Sequence, residues 1–159
     1  MESGNLFQLI DLFRRHNVPI VVIGGHAVVF HGYVRATEDV DLIFLRSPEA
    51  ERRLLAALRE INAQWISDEI DPVTQLERLV PVSETYVHAA RLMMLVTDMG
   101  FIDVFDFIPG FAEQPVSDVF TSALTANSTR FVSLAWLRKM KTASGRAIDL
   151  VDLENLPEA

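Results

Sequence analysis

Two short stretches of this chain place carboxylates inside otherwise apolar runs. In DVDLIFL (39–45), Asp39 and Asp41 stand two apart; in FIDVFDFI (101–108), Asp103 interrupts another apolar segment. Side chains alternate along a strand, so Asp39 and Asp41 should face the same way, with Cα atoms roughly 6.5–7 Å apart, while Val40, Leu42 and Phe44 face the core. Two like charges so placed raise each other's pKa, and a cation between them removes that cost. Hard divalent ions take oxygen ligands, which makes Mg²⁺ or Mn²⁺ the natural guest. If the strand of Asp103 lies beside the first, at the usual spacing of about 4.8 Å, a third carboxylate joins the pair. Asp106 has the opposite parity and reads as a strand-end acid or local hydrogen-bond acceptor. The competing reading is a solvent-facing strand with ordinary exposed acids, and the Asp-x-Asp pattern alone does not separate the two.

Upstream, Gly24 and Gly25 follow the apolar run IVVI. A glycine pair between a strand and a helix lets backbone N–H groups approach a phosphate, although any tight turn also favours glycine. Arg35 and Thr37 lie just before the aspartate strand. Arg35 suits a phosphate contact or an ordinary surface position equally well; Thr37 suits the turn into the strand. Near the C-terminus, Arg138, Lys139, Lys141 and Arg146 form a basic run on an acidic chain, the usual mark of a solvated helix face. Arg146 and Asp149 are spaced for a salt bridge. His26, His31 and His88 lack metal-ligand spacing.

These residues must be positioned by an alternation of helices and strands. NLFQLIDLFRRHN (5–17) has helical periodicity, IVVIGG (20–25) is a short strand ended by glycines, and HAVVFHG (26–32) gives one or two helical turns stopped by Gly32. DVDLIFL is a strand. Ser47 and Pro48 are the N-cap and first residue of the helix PEAERRLLAALREI (48–61). AQWIS (63–67) reads as a further strand, and 68–84, with Pro72 and Pro81, mostly as loop. TYVHAARLMMLVT (85–97) and FIDVFDFI flank DMG as a hairpin with Gly100 in its turn. The tail VSLAWLRKMKTASGRAIDLVDLENL (132–156) reads as two helices meeting near Gly145.

Composition sets the outer bounds. The 159 residues suit one α/β domain, 1–159, and half of them are hydrophobic, which supports a real core. A net charge of −8 and a pI near 4.9 argue against coating nucleic acid by bulk charge, while leaving room for a local basic groove. The absence of cysteine excludes disulfides and thiolate metal sites. No signal pattern and no bilayer-length apolar run are present, so the expectation is a cytoplasmic protein without a membrane partner.

The order Gly24-Gly25, then Asp39 and Asp41, then Asp103 resembles the nucleotidyltransferase superfamily that includes DNA polymerase β, poly(A) polymerases and aminoglycoside nucleotidyltransferases. Within it, GGHAVVFHGYVRATEDVDLIF is similar to the small prokaryotic members related to toxins of toxin–antitoxin systems. Their C-terminal signature is matched at Lys141, Ala143, Arg146, Asp149 and Asp152. His26 stands where many members have serine, and Ile148 where a basic residue is common. The resemblance implies a minimal nucleotidyltransferase fold: a mixed β-sheet flanked by helices, with C-terminal helices. It implies catalytic and metal-binding roles for Asp39, Asp41 and Asp103, with Mg²⁺ or Mn²⁺. Gly24, Gly25, Arg35, Thr37 and Lys141 would bind a nucleoside triphosphate. The implied reaction transfers a nucleoside monophosphate to a hydroxyl on a small molecule, a tRNA or a protein, with an antitoxin as a further partner. The alternative is a catalytically silent nucleotide-binding or regulatory module of the same fold.

Overall fold

A computed structural model describes residues 4–159. Apolar residues on one stripe of α1 (Gly4–Arg15) and α3 (Pro48–Glu60), and alternating or continuous apolar runs in the strands, place helices on both sides of a sheet. The strands are β1 (Ile20–Ile23), β2 (Val40–Phe44), β3 (Gln64–Ile70), β4 (Glu77–Pro81), β5 (Leu92–Thr97), β6 (Gly100–Phe105), β7 (Leu124–Ala126) and β8 (Thr129–Phe131). Among the described residues they form one sheet in the order β4-β3-β5-β6-β2-β1-β8-β7. The remaining helices are α2 (Gly24–Phe30), α4 (Glu84–Ala89), α5 (Ser117–Ser122), α6 (Leu134–Ser144) and α7 (Ala147–Asn155). The expected class, a mixed sheet flanked by helices and closed by C-terminal helices, is the one found: β2 runs antiparallel to β1 and parallel to β6.

The two sheet faces bury different things. Val22, Leu42, Phe44, Met93, Ile102 and Val104 form one core with Leu9 and Phe13 of α1, Leu54 and Leu58 of α3 and Val87 of α4. On the other face Val21, Ile23 and Ile43 pack with Val119 of α5 and with Trp136, Leu137 and Met140 of α6. This second core lies over the β1–β2 part of the sheet.

Several local expectations are met by visible chemistry. The Ser47 hydroxyl accepts from the Ala50 N–H at 3.0 Å and caps α3, with Pro48 behind it. Gly145 closes α6 in the left-handed region at φ 61°, a conformation that favours glycine, and α7 then folds back on α6. The β5–β6 hairpin turns at Asp98 and Met99, with Gly100 at φ 96° pairing back to Thr97.

Two expectations are corrected. The segment 68–84 is not mostly loop: β3 continues to Ile70 and β4 returns along it. The Asp71 carboxylate accepts from the Val73 and Thr74 N–H groups at 2.8 and 3.1 Å and so makes the reversal. Pro81 is tolerated because β4 is the outermost strand, where a missing donor breaks no second ladder. The first part of 85–97 is helical, not extended. Ser83 caps α4 through the Tyr86 N–H at 3.1 Å, and Tyr86 stacks on Trp65 with centroids 4.9 Å apart. The short elements α5, β7 and β8 carry little periodic signal and were not expected from the sequence.

Candidate active site

The candidate site forms where β1 ends and β2 and β6 begin, side by side. In the sheet register Asp41 lies opposite Ile23 on one side and Asp103 on the other. The expected neighbour relation between the two aspartate strands is therefore present, with Asp41 and Asp103 as direct partners. Cross-strand partners share a face, so both carboxylates stand on the same side of the sheet. Asp39 departs from expectation: β2 begins at Val40, and Asp39 lies in the preceding irregular segment, exposed to solvent. The ladder to β1 ends at Ile23↔Asp41, because beyond it the chain turns into Gly24 and α2, leaving Asp39 no strand to pair with on that side.

The glycines are required by contact. Gly24 adopts φ 65°, and a Cβ there would run into the Asp41 carboxylate. A Cβ on Gly25 would strike the Thr37 hydroxyl and sit 3.3 Å from the Arg35 guanidinium. The turn thus places backbone directly against Asp41, Thr37 and Arg35.

Electrostatics distinguishes this cluster. Burial, then the charges of Asp103 and Asp39, push the Asp41 carboxyl up to about 7. Asp103 is raised by burial and by the charge of Asp39. Asp41 and Asp103 stand opposite each other across β2 and β6, and each acts on the other's ionisation. Among the described residues, no three His, Cys, Asp or Glu side chains stand together as a ready metal-ligand set, although Asp39 lines the same cavity as Asp41. The donor chemistry nevertheless fits a hard divalent cation: oxygen donors only, mutually repelling.

Beside it lies a second ionic cluster. Lys141 is buried, and its Nζ donates to Asp149 Oδ1 at 3.1 Å and lies 2.9 Å from Asp152 Oδ2. Arg35 forks onto Asp152 through Nε and Nη2 at 2.7 and 2.8 Å. Arg146 forks onto Asp149 at 2.8 and 3.2 Å. Asp149 and Asp152 are wholly buried. Burial alone would raise Asp149, but hydrogen bonds from Arg146, Ser144 and Lys141 hold it well below the usual carboxylate range. Asp152 is likewise lowered, against burial, by Arg35 and Lys141. Three cations face two anions, and the positive charge of Lys141 reaches Asp41. A cavity of about 370 Å³ connects the clusters, lined among others by Gly25, Thr37, Asp39, Asp41, Lys141 and Arg146.

The sequence-expected residues therefore divide. Gly24, Gly25, Thr37, Asp39, Asp41, Asp103 and Lys141 converge. Arg35 lines the cavity and is half-buried, with Asp152 held on its Nε and Nη2 edge. Lys141 does not belong to a solvated face. Its neighbours in the run go elsewhere: Lys139 lies over the Trp136 ring at 4.8 Å, and Arg138 donates to the carbonyls of Leu153 and Pro157. Asp106 is apart from the site, bound to Arg46 at 2.7 Å and Arg91 at 3.1 Å. His31 Nε2 meets the Val132 carbonyl at 2.7 Å, and His88 meets Glu51. His26 is buried with Nε2 unpartnered, and burial followed by the Arg35 charge lowers its pKa. The Arg35–Asp152 fork, 117 residues apart in sequence, had no local signal that could have shown it.

No protein-family model matches the chain, and no curated protein matches it. Among solved structures it is similar to JHP933 from Helicobacter pylori, with 15% identity and a TM-score of 0.47 over 96% of this chain and 66% of that one. It is also similar to a "putative nucleotidyltransferase" from H. pylori, with 14% identity and a TM-score of 0.42 over 89% and 59%. The chain thus spans about two thirds of the length of the first and less of the second.

Proposed function

We propose that this chain is a metal-dependent nucleotidyltransferase that moves a nucleoside monophosphate from a nucleoside triphosphate to a hydroxyl acceptor and releases pyrophosphate. The observation that carries this reading is the pairing of Asp41 with Asp103 against a glycine turn, at the edge of a cavity floored by Lys141. Mg²⁺ or Mn²⁺ held by Asp39, Asp41 and Asp103 would supply charge neutralisation of the triphosphate and acidification of the attacking hydroxyl. Gly24 and Gly25 let backbone approach the phosphates. Lys141 and Arg146 supply positive charge from the cavity wall, held in place by Asp149. Arg35, fixed by Asp152, and Thr37 shape the wall beside Gly25. Asp103, opposite Asp41 on the neighbouring strand, would be placed to take the acceptor's proton.

The test is a thermal-shift titration with each nucleoside triphosphate and Mg²⁺, followed by transfer from α-³²P- and γ-³²P-labelled substrates. The α-label should move to an acceptor while the γ-label leaves in pyrophosphate. Retention of the γ-label on an acceptor instead would mean phosphoryl transfer and would overturn this reading. The exposed position of Asp39 favours a second reading, a nucleotide-binding module without turnover, which predicts the thermal shift but no transfer. The toxin-like role, with an antitoxin partner, rests on the C-terminal signature Lys141, Arg146, Asp149 and Asp152. It predicts growth arrest on expression of the wild type and none with Asp41→Asn.

A further inference from the structure

Helix α7 is reversed for a helix at the surface. Its buried residues are Asp149 and Asp152, while Ile148, Leu150 and Val151 are exposed. A surface helix ordinarily turns an apolar stripe to the core and its charges to water. The reversal has a visible cause. Arg35 and Lys141 hold Asp152, and Lys141 and Arg146 hold Asp149, so this ionic network sets the rotation of α7 about its axis. Consecutive helical residues point about 100° apart. With Asp149 turned inward, Ile148 is swung to the rim and comes to line the cavity that also holds Gly25, Asp41, Lys141 and Arg146.

Ile148 differs in chemistry from everything else on that wall. The other lining residues are carboxylates, cations, a threonine, a glycine and an alanine. Among the described residues it is thus the one large apolar side chain on the cavity, and it is 48% exposed. A site for a small molecule combines a few placed polar groups with an apolar contact, and about 370 Å³ is enough for one. A nucleoside triphosphate has the two matching ends: a polyphosphate for Lys141, Arg146 and the glycine turn, and a base with apolar faces. The acceptor fits this cavity less well. Asp103, the group placed to take its proton, is not on the lining, so the acceptor comes to the site from another side.

We infer that Ile148 seats the base of the nucleotide and grades bases by contact area, so that the site takes purine nucleotides ahead of pyrimidine ones. The inference rests on the nucleotide-binding half of the reading above and adds the residue that meets the base. An aliphatic side chain offers neither donor nor acceptor. It therefore cannot reject a wrong base by leaving a buried polar group unpaired, which is the source of the steepest discrimination. It gains more contact from the larger purine ring and treats adenine and guanine alike. Polyphosphate alone gives Ile148 nothing to touch. Phosphates and base are thus met by different residues, and substitution can separate them.

The experiment measures binding of tripolyphosphate, ATP, GTP, CTP and UTP, each with Mg²⁺, by calorimetric titration and thermal shift. It compares the wild type, Ile148→Ser, Ile148→Met and the control Leu150→Ser, an exposed position on the same helix that is not on the cavity lining. Both positions are exposed, so the variants should fold. The wild type should bind ATP and GTP about equally, and both more tightly than CTP and UTP. Ile148→Ser should weaken the purine nucleotides roughly tenfold, the order expected for uncovering half of an isoleucine. It should also bring the four nucleotides together and leave tripolyphosphate unchanged. Ile148→Met keeps an apolar surface and should keep the wild-type order, and Leu150→Ser should match the wild type throughout. A wild-type preference for one base alone, a base preference that survives Ile148→Ser, or unchanged nucleotide affinity in that variant would each overturn the inference. Equal weakening of tripolyphosphate in Ile148→Ser, or a wild type that binds tripolyphosphate as tightly as the nucleotides, would do the same. A wild-type dimer in sedimentation that Ile148→Ser splits would also overturn it, by giving the side chain to a second copy. Absence of any wild-type response to nucleotides or tripolyphosphate would instead sink the nucleotidyl-transfer reading itself, and the inference with it.

Discussion

Two groups of aspartates sit side by side in this molecule, and they are treated in opposite ways. Asp149 and Asp152 are wholly buried and answered by Lys141, Arg35 and Arg146. Asp41 and Asp103 are partly buried and answered mainly by each other. The first arrangement satisfies nearly every charge and hydrogen bond locally, which is how a fold tolerates buried carboxylates. The second leaves charge unsatisfied, raises both carboxyls, and is held there by strand register. Perturbation of this kind, beside a cavity, is what a functional site looks like. The paired group builds the wall, and the unpaired group is left for something that arrives.

The largest effect should come from the unpaired group. Asp103→Asn is expected to lower nucleotidyl transfer by roughly 10²–10⁴-fold, the range lost with a positioned proton acceptor, while leaving the fold intact. Asp106→Asn should retain most of the activity, because Asp106 serves Arg46 and Arg91 away from the site. Equal loss of transfer in the two variants would contradict the observed register. Asp41→Asn should also abolish transfer and the thermal response to nucleotide with Mg²⁺, yet keep or raise the melting temperature of the unliganded protein by relieving repulsion.

The paired group should answer differently. Asp152→Ala leaves Lys141 and Arg35 without their shared partner, and breaking a buried pair on one side costs about 3–5 kcal/mol. The expected outcome is a melting temperature lower by roughly 6–20 °C, since each kcal/mol moves a domain of this size by about 2–4 °C. A melting temperature unchanged by Asp152→Ala, measured by calorimetry, would mean that the network is not structural.

The two groups should also have opposite pH signatures in the unliganded protein. Asp41 has its folded pKa raised to about 7, so the folded state holds a proton that the unfolded chain releases near its ordinary value of 3.8. Stability from this source is full below about 4 and is lost as pH rises toward 7. Asp149 and Asp152 are lowered, so their contribution is present above the ordinary carboxylate range and is lost as pH falls below it. Chemical denaturation from pH 3 to pH 8 should therefore show a maximum, with Asp41→Asn flattening the neutral limb and Asp152→Ala the acid limb. A neutral limb that persists in Asp41→Asn would assign the unpaired charge elsewhere.

How much of this was legible in the sequence follows the same division. Asp41, Asp103 and the glycine turn announce themselves locally, because a carboxylate in an apolar strand breaks a period-two pattern and a glycine pair ends a strand. The adjacency of β2 and β6 needed only the assumption that two such strands pair. Asp39 was misplaced because pattern alone extends a strand past the point where its β1 partner turns away. Lys141 was harder: Arg138, Lys139 and Lys141 look alike in sequence, and only the return of α7 over α6 shows which of them is buried. Arg35 gave no sign of Asp152, since the two meet through tertiary packing alone. The exposure of Met94 and Phe101 was invisible for a related reason: apolar strand residues give no local sign of which helices cover them.

The smallest effect sharpens the comparison within a single helix. Lys139 and Lys141 lie two positions apart on α6, which points them about 160° apart around the helix axis. Lys141 turns inward to Asp149 and Asp152, whereas Lys139 stays exposed with its ammonium over the Trp136 ring. An exposed contact of that kind is worth about 0.5–1 kcal/mol. Lys139→Ala should accordingly lower the melting temperature by no more than about 4 °C and leave both nucleotide binding and transfer at the wild-type level. Lys141→Met keeps the length and apolar stem of the side chain while removing its charge, so it should lower stability and weaken the nucleotide-dependent thermal shift together. If Lys139→Ala weakens the nucleotide response as much as Lys141→Met, the triphosphate lies along the outer face of α6 instead of in the cavity, and the division between wall and site drawn here fails at this helix.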